Sequence, residues 1–185
     1  MKCPAMTVVL VMLVVSLTTL FITGDACDNV QTRSRSDVCF FQFKGMPTKY
    51  KLCMKMLENT PDTAEVTVYT LMATRLAKQK YETSAATLQR LMANASLPAD
   101  ERAKYKYCVN QYHVAREHID CVINDLEGCK FKHIKQEYND SDTALWNCQN
   151  ALPESSLLSG WPPLVKMVMG DRDATNVADS LFSFV

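Results

Sequence analysis

Two stretches of the chain place apolar residues at alternating steps of three and four, and each includes one cysteine. The first series is Tyr105, Cys108, Tyr112, Ala115, Ile119, Val122 and Leu126, and the second is Ile134, Tyr138, Ser141, Leu145, Cys148 and Leu152. Steps of this size put each series on one face of a helix. The pattern therefore predicts two antiparallel helices, joined by a short turn near Gly128, whose cysteines face one seam and could be bridged inside a bundle.

Helical spacing and helix-ending residues predict the other elements. They are an irregular region over 28–57 with a short helix over 48–57, a long helix over 61–95, the cysteine-bearing helices over 99–127 and 130–152, a loop over 153–163, and a last helix that opens at Asp171 or Asp173. Pro61 suits a first helical position, and Gly128 suits a helix end. Only five glycines and no strand pattern of useful length occur. We therefore predict an all-α helical bundle.

The N-terminus has the layout of a secretory signal peptide. Lys2 precedes an apolar run over 7–22, and small residues follow at Gly24 and Ala26. The run is shorter than the ~20 apolar residues that a membrane helix needs. We predict a signal peptide over residues 1–26, cleaved after Gly24 or Ala26, and a secreted mature protein.

Composition and charge fit one secreted domain over 27–185. About 160 residues are enough for a single domain with a sizeable core. The chain has 20 basic and 20 acidic residues, so its charge gives no reason to expect nucleic acid or an acidic membrane as a partner. No cofactor is predicted. Asn94 and Asn139 begin glycosylation sequons and are candidate glycosylation sites in a secreted protein.

Cleavage after Ala26 or earlier leaves seven of the eight cysteines, an odd number, so at least one thiol would be unpaired or in an intermolecular bond. Cys121 and Cys129 could be bridged only if the helix ends between them, because eight helical residues span about 12 Å. We expect these two to be free cysteines instead. Cys27 has no assigned partner, and its replacement by serine is expected to change the stability little.

Metal binding is an alternative use of these cysteines. His118 lies three residues before Cys121, and Cys129 lies four residues before His133, so each pair could share a helix face. A secreted, cysteine-rich chain uses thiols for disulfides more often than for zinc. We therefore predict no metal site.

Enzyme chemistry finds little support in the motifs. The sequence has no nucleophile elbow, no glycine-rich phosphate loop, and no histidine, carboxylate and serine that fit one pocket. Glu117 and Asp120 lie one turn apart near His118, which a solvated helix face also explains. We predict that the chain is not an enzyme and has no catalytic residues.

The ordered cysteines and three short motifs resemble the plant invertase and pectin methylesterase inhibitor family. Residues 50–57, YKLCMKML, are similar to the family's Y-x-x-C-x-x-x-L segment, Cys108 and Tyr112 to its C-x-x-x-Y opening, and 175–181, TNVADSL, to its S-N-A-L-A segment. The resemblance covers essentially the whole mature chain. It implies an up-and-down four-helix bundle preceded by an N-terminal helical hairpin. The disulfides that it implies are Cys39–Cys53 and Cys108–Cys148.

The resemblance also implies an inhibitor in the cell wall or vacuole, with a plant enzyme as its partner. Some invertase inhibitors have a Pro-Lys-Phe motif between the two cysteine-bearing helices, and here the matching turn reads Gly128-Cys129-Lys130-Phe131. A lysine that reaches an acidic glycosidase site beside an aromatic anchor is physically reasonable. Lys130 and Phe131 are therefore the candidate contacts, and acid invertase is narrowly favoured. A solvated lysine and a core phenylalanine are the alternative.

Pectin methylesterase is the second candidate target. The resemblance implies a binding mode in which bundle helices cover the cleft of that enzyme. The long helix would then offer Thr63, Thr67, Thr74 and Gln79, although ordinary solvent exposure explains these residues equally well. A secreted bundle that kept the fold without inhibiting any enzyme is a further alternative, because fold does not determine function.

Overall fold

The computed structural model describes residues 27–152 and 163–185. The elements within them are β1 (Thr32–Ser34), α1 (Arg35–Phe43), α2 (Pro47–Met56), β2 (Thr63–Glu65), α3 (Val66–Met92), α4 (Ala99–Glu127), α5 (Ile134–Ala151) and α6 (Pro163–Phe182). The predicted signal peptide and residues 153–162 of the predicted loop over 153–163 lie outside the described residues. No helix of the described ranges is long and apolar enough to cross a membrane.

Helices α3 to α6 form an up-and-down four-helix bundle. Each of them packs against its neighbour in the chain, and α6 returns to pack against α3. All residues of the two apolar series found in the sequence are buried. The predicted all-α, disulfide-stabilised bundle is therefore confirmed, and its core is built from the apolar seams that the spacing indicated.

Helices α1 and α2 form the N-terminal hairpin, which packs on α3 and α6. The region was expected to be irregular before residue 48, but α1 is a helix of nine residues. Ser34 caps it, since its Oγ accepts a hydrogen bond from the backbone N–H of Asp37 at 3.0 Å. The disulfide Cys39–Cys53 joins the two helices. This covalent link and the packing on the bundle hold a helix that is too short to be stable in isolation.

The long helix begins at Val66 and not at Pro61. Residues 63–65 instead form β2, which pairs antiparallel with β1 so that Thr32 lies opposite Glu65 and Ser34 opposite Thr63. Three residues per strand are too few to give an alternating pattern in the sequence. The ladder occupies the backbone groups that would otherwise have begun the helix, which explains the later start.

The side chain of Arg35 stabilises the loop between α2 and β2. Its guanidinium donates hydrogen bonds to the backbone carbonyls of Leu57 at 2.9 Å, Glu58 at 2.8 Å and Thr60 at 3.3 Å. It also forms a salt bridge with Asp62 at 2.6 Å. The planar, five-donor head of arginine suits several acceptors at once. This contact attaches the hairpin to the start of the bundle.

The last helix begins at Pro163, eight residues before the predicted start at Asp171. Proline is tolerated in the first turn of a helix, where its missing N–H would have no intrahelical partner. Asp171 was interpreted as a helix-opening residue, but it lies within α6 and is buried. Its carboxylate bonds to other helices of the bundle, so its role is tertiary.

Candidate functional site

The turn between α4 and α5 has the hydrogen bonds of a Schellman motif. The N–H of Cys129 donates to the carbonyl of Leu126 at 3.2 Å, and the N–H of Lys130 donates to that of Asp125 at 2.8 Å. The residue with positive φ is Cys129, at 52°, whereas Gly128 has a φ of −93°. Helix α5 then begins at Ile134 and not at Lys130, because residues 129–133 form the turn.

A disulfide fixes this turn to the start of the described chain. Cys129 is bonded to Cys27, which is 102 residues away in sequence. The alternative Cys121–Cys129 bridge is therefore wrong. The expected free thiols at Cys121 and Cys129 are wrong as well, because no cysteine of the described ranges is a free thiol. Spacing could not predict this pairing, because the two cysteines meet only after the bundle has brought the N-terminal segment beside the α4–α5 turn.

Two further disulfides between described residues are the pairs that the resemblance implied. Cys39 is bonded to Cys53 within the hairpin, and Cys108 to Cys148 between α4 and α5. All four residues are fully buried. The Cys108–Cys148 bond lies on the seam that the heptad spacing defined, with its two α carbons 4.5 Å apart.

Lys130 and Phe131 differ in exposure. Lys130 is exposed, and the outer part of its aliphatic chain passes 3.4 Å from where a Cβ on Gly128 would lie. The ring of Phe131 is half-buried against the core, with its centroid 6.2 Å from that of Phe182 on α6. The turn therefore presents one cation to solvent, while its aromatic ring is partly used by the packing of the bundle.

The residues proposed on the long helix also separate into two groups. Thr67 and Thr74 are buried, so neither is available to a partner. The hydroxyl of Thr74 bonds to that of Tyr138 on α5. Thr63 and Gln79 are exposed, and Thr63 lies in β2 and not in the helix. Burial removes Thr67 and Thr74 from the candidate contacts, and the hydroxyl of Thr67 bonds to the carboxylate of Glu65.

The outer faces of α4 and α5 carry large exposed side chains that belong to neither apolar series. Tyr107 and Val114 on α4 are 43% and 40% exposed, and Trp146 on α5 is 50% exposed. Val114 follows Tyr107 by seven positions, so the two share one face, two turns apart. In the sequence, these three residues are marked only by their positions outside the two apolar series.

A polar network in the core links all four bundle helices. The carboxylate of Asp171 on α6 accepts hydrogen bonds from Ser84 on α3 at 2.6 Å and from Tyr112 on α4 at 2.7 Å. Tyr81 on α3 bonds to Ser141 on α5 at 3.0 Å and also to Thr175 on α6. Buried polar groups are costly unless they are paired, so these bonds favour one arrangement of the helices.

Burial sets the protonation behaviour of this network. Desolvation raises the pKa of Asp171 above its usual range, although the hydrogen bonds from Ser84 and Tyr112 and the charge of Lys80 act in the opposite direction. Burial likewise raises the pKa values of Tyr81, Tyr112 and Tyr138 above their usual range. The tyrosine hydroxyl groups therefore stay protonated, and their hydrogen bonds serve the packing of the helices.

The residues considered for metal and acid–base chemistry are engaged elsewhere. Cys129 is oxidised in a disulfide and has no thiolate to offer a metal. His118 Nδ1 lies 2.6 Å from Glu137 on α5, and Asp120 pairs with Lys78 on α3 at 2.6 Å. Among the described residues no group of three potential ligands could hold a metal ion. These side chains connect neighbouring helices.

Both candidate glycosylation sites are exposed. Asn94 lies in the turn between α3 and α4, where its Oδ1 accepts a hydrogen bond from the N–H of Ser96 at 3.0 Å. Asn139 lies within α5, and the serine of its sequon, Ser141, is fully buried. Asn94 is therefore the more accessible of the two in the folded protein, and glycosylation remains a prediction.

Comparisons with known proteins bear on the fold. No family description matches the chain, and no curated protein matches it significantly. Among solved structures, mutant form A of a pectin methylesterase inhibitor from Arabidopsis is similar with a TM-score of 0.66 at 12% identity, over 82% of this chain and 97% of that one. The chain has the fold of the pectin methylesterase inhibitors. A second pectin methylesterase inhibitor, from Arabidopsis thaliana, gives a TM-score of 0.58 at 12% identity, over 77% and 95% of the two chains.

The pectin methylesterase inhibitor fold is the one that the family resemblance implied, so that expectation is confirmed. The shared architecture spans nearly the full length of both solved inhibitors. Both solved proteins are inhibitors of pectin methylesterase. Neither of them is described as an invertase inhibitor, so the narrow preference for invertase gains no support from them.

Proposed function

We propose that this chain is a secreted protein inhibitor of a cell-wall enzyme and that its target is pectin methylesterase. The observation that carries the proposal is the likeness of fold to two solved inhibitors of that enzyme, over 97% and 95% of their chains. The second support is the predicted signal peptide, which would bring the chain to the compartment where such a target acts. Acid invertase becomes the alternative target.

The placement of Phe131 favours the bundle helices over the α4–α5 turn as the contact surface. An interface anchor needs a ring that is free to enter a pocket of the partner. The ring of Phe131 instead packs beside Phe182, and withdrawing it would expose apolar surface of the bundle. Lys130 alone is a solvent-exposed cation, which contributes more to the rate of association than to affinity.

The outer faces of α4 and α5 supply better anchors. Tyr107 and Trp146 are the most exposed aromatic side chains of the described bundle helices. Tyrosine and tryptophan are enriched among residues whose truncation weakens binding, because their rings bury a large area at low entropic cost. We assign the contact with the enzyme to these faces, with Tyr107 and Trp146 as the principal contacts.

The experiment is a titration of the purified, oxidised protein against pectin methylesterase and acid invertase in parallel. Inhibition of pectin methylesterase alone is expected. Tyr107→Ala and Trp146→Ala should each raise the inhibition constant at least tenfold, which corresponds to about 1.4 kcal/mol or more. Lys130→Ala is the control on the other candidate surface and should change the constant less than threefold.

Melting temperatures of all variants should stay close to that of the parent protein, because the substituted side chains are exposed. Inhibition of invertase alone would reverse the choice of target. Loss of inhibition in Lys130→Ala, with unchanged Tyr107→Ala and Trp146→Ala, would return the site to the turn. Inhibition of neither enzyme would contradict the proposal and favour a bundle that kept the fold without an inhibitory role.

A further inference from the structure

A cleft of about 550 Å³ lies where α2 of the hairpin meets α3 and α6 of the bundle. Its walls include the apolar side chains of Leu52, Met56, Leu76 and Met167. A volume of this size is in the range of sites for small molecules, and such sites form preferentially where structural units meet. Neither the inhibitory surface proposed above nor the α4–α5 turn includes any of these residues.

Three cations, Lys55, Lys80 and Lys166, also line the cleft. Lys80 lies 3.6 Å from the carboxylate of Asp171, whereas neither Lys55 nor Lys166 has an ion-pair partner among the described residues. The acidic side chains in the lining are Glu58, which is exposed, and Asp171, which is 2% exposed and accepts two hydrogen bonds. The buried carboxylate of Asp171 is thus paired within the protein, and the ammonium groups of Lys55 and Lys166 remain for a ligand.

Gly170 leaves part of the cleft open. It lines the cleft within α6, and a Cβ added there would have no neighbouring atom within 4 Å. The neighbouring walls are flexible methionine and leucine side chains, which adapt to an apolar guest. No aromatic ring and no arginine belongs to the lining, so the usual stacking surface for a sugar is missing from it.

We propose that this cleft binds a small amphipathic anion, with an apolar body against Leu52, Met56 and Met167 and a carboxylate head beside Lys55 and Lys166. The apolar side chains and the absence of an aromatic ring from the lining favour an alkyl chain over a saccharide, although Asn59, Gln79 and Thr83 also line the cleft. The two unpaired ammonium groups select an anionic head over a neutral one. A medium-chain carboxylate combines both properties.

The test is calorimetric titration of the intact, disulfide-bonded protein with decanoate at low ionic strength. One decanoate per chain is expected. Gly170→Leu should weaken binding at least tenfold by filling the open space, and the double variant Lys55→Gln/Lys166→Gln should weaken it at least tenfold by removing both cations. A matched double variant at exposed lysines outside the cleft, Lys106→Gln/Lys132→Gln, should bind as the parent does.

Circular dichroism of each variant checks that the fold is retained, and the lysine variants keep the test valid if Gly170→Leu fails to fold. Decanoate binding that neither cleft variant changes would place the ligand elsewhere and overturn the proposal. Equal loss in the matched control would show a general charge effect and overturn it as well. Tighter binding of digalacturonate than of decanoate would assign the cleft to acidic saccharides.

Discussion

Removal of the Cys27–Cys129 bond should strongly destabilise the protein, contrary to the expectation from the sequence that Cys27 matters little. The bond closes a loop with a sequence separation of 102. Loop-closure entropy for this length corresponds to about 4.7 kcal/mol. The Cys39–Cys53 bond, with a separation of 14, lies inside the loop. It shortens the loop to roughly 90 residues, which lowers the estimate only to about 4.6 kcal/mol, since the dependence is logarithmic.

The double variant Cys27→Ala/Cys129→Ser tests this estimate without leaving an odd thiol. A loss of about 4.6 kcal/mol should lower the melting temperature by roughly 9 to 18 °C in a domain of this size. Thermal unfolding followed by circular dichroism and equilibrium unfolding in urea both measure the effect. A second variant, Cys27→Ala/Cys129→Gly, separates the bond from the backbone conformation. It should be about 1 kcal/mol more stable than the serine variant, because φ at residue 129 is 52° and glycine adopts that region without strain.

A melting temperature within about 2 °C of the parent would refute the reasoning, because the entropic contribution of so long a loop could not be this small. Equal stability of the serine and glycine variants would show that the turn relaxes once the bond is lost. Quantifying free thiols in the parent protein under denaturing conditions is the control, since Cys27 and Cys129 must both be unreactive before reduction.

Three further predictions concern the core network, the turn and the hairpin. Stability should fall as pH rises from about 4 through the raised pKa of Asp171, because the unfolded chain releases this proton at a lower pH than the folded one. Asp171→Asn should remove this dependence of the free energy of unfolding on pH, which urea unfolding at a series of pH values measures. Phe131→Ala should cost about 2 kcal/mol, roughly half the value for a fully buried ring, whereas Lys130→Ala should leave thermal unfolding unchanged. Arg35→Lys should cost about 2 kcal/mol in urea unfolding, because one ammonium group cannot reach both the carbonyls that accept from Nη1 and the Asp62 carboxylate that accepts from Nη2.

The bundle was predictable because the packing of a helix on one face determines both the spacing of its apolar residues and their burial. A helix that packs on one face must repeat its apolar residues at steps of three and four, so the positions from Tyr105 to Leu126 and from Ile134 to Leu152 were readable as core. The end of α4 at Glu127 was also readable, since glycine follows it. These features depend on neighbours in the sequence.

The candidate contact surface was less predictable. Lys130 and Phe131 are adjacent in the sequence, and only the fold shows that one is exposed while the other packs near Phe182. Thr67 and Thr74 look like surface residues because they are polar, but a buried hydroxyl is acceptable where another helix supplies a partner. Polarity alone therefore overestimates exposure inside a bundle that contains polar contacts.

The sequence by itself determined the helical class, the two cysteine-bearing helices and their apolar seams, since these follow from spacing along one chain. The tertiary structure alone decided the partner of Cys27, the short β1–β2 ladder and the buried role of Asp171. Each of these depends on groups that are distant in sequence and meet only when the helices pack. Their energies come from pairing across elements, so no local pattern of residues could encode them.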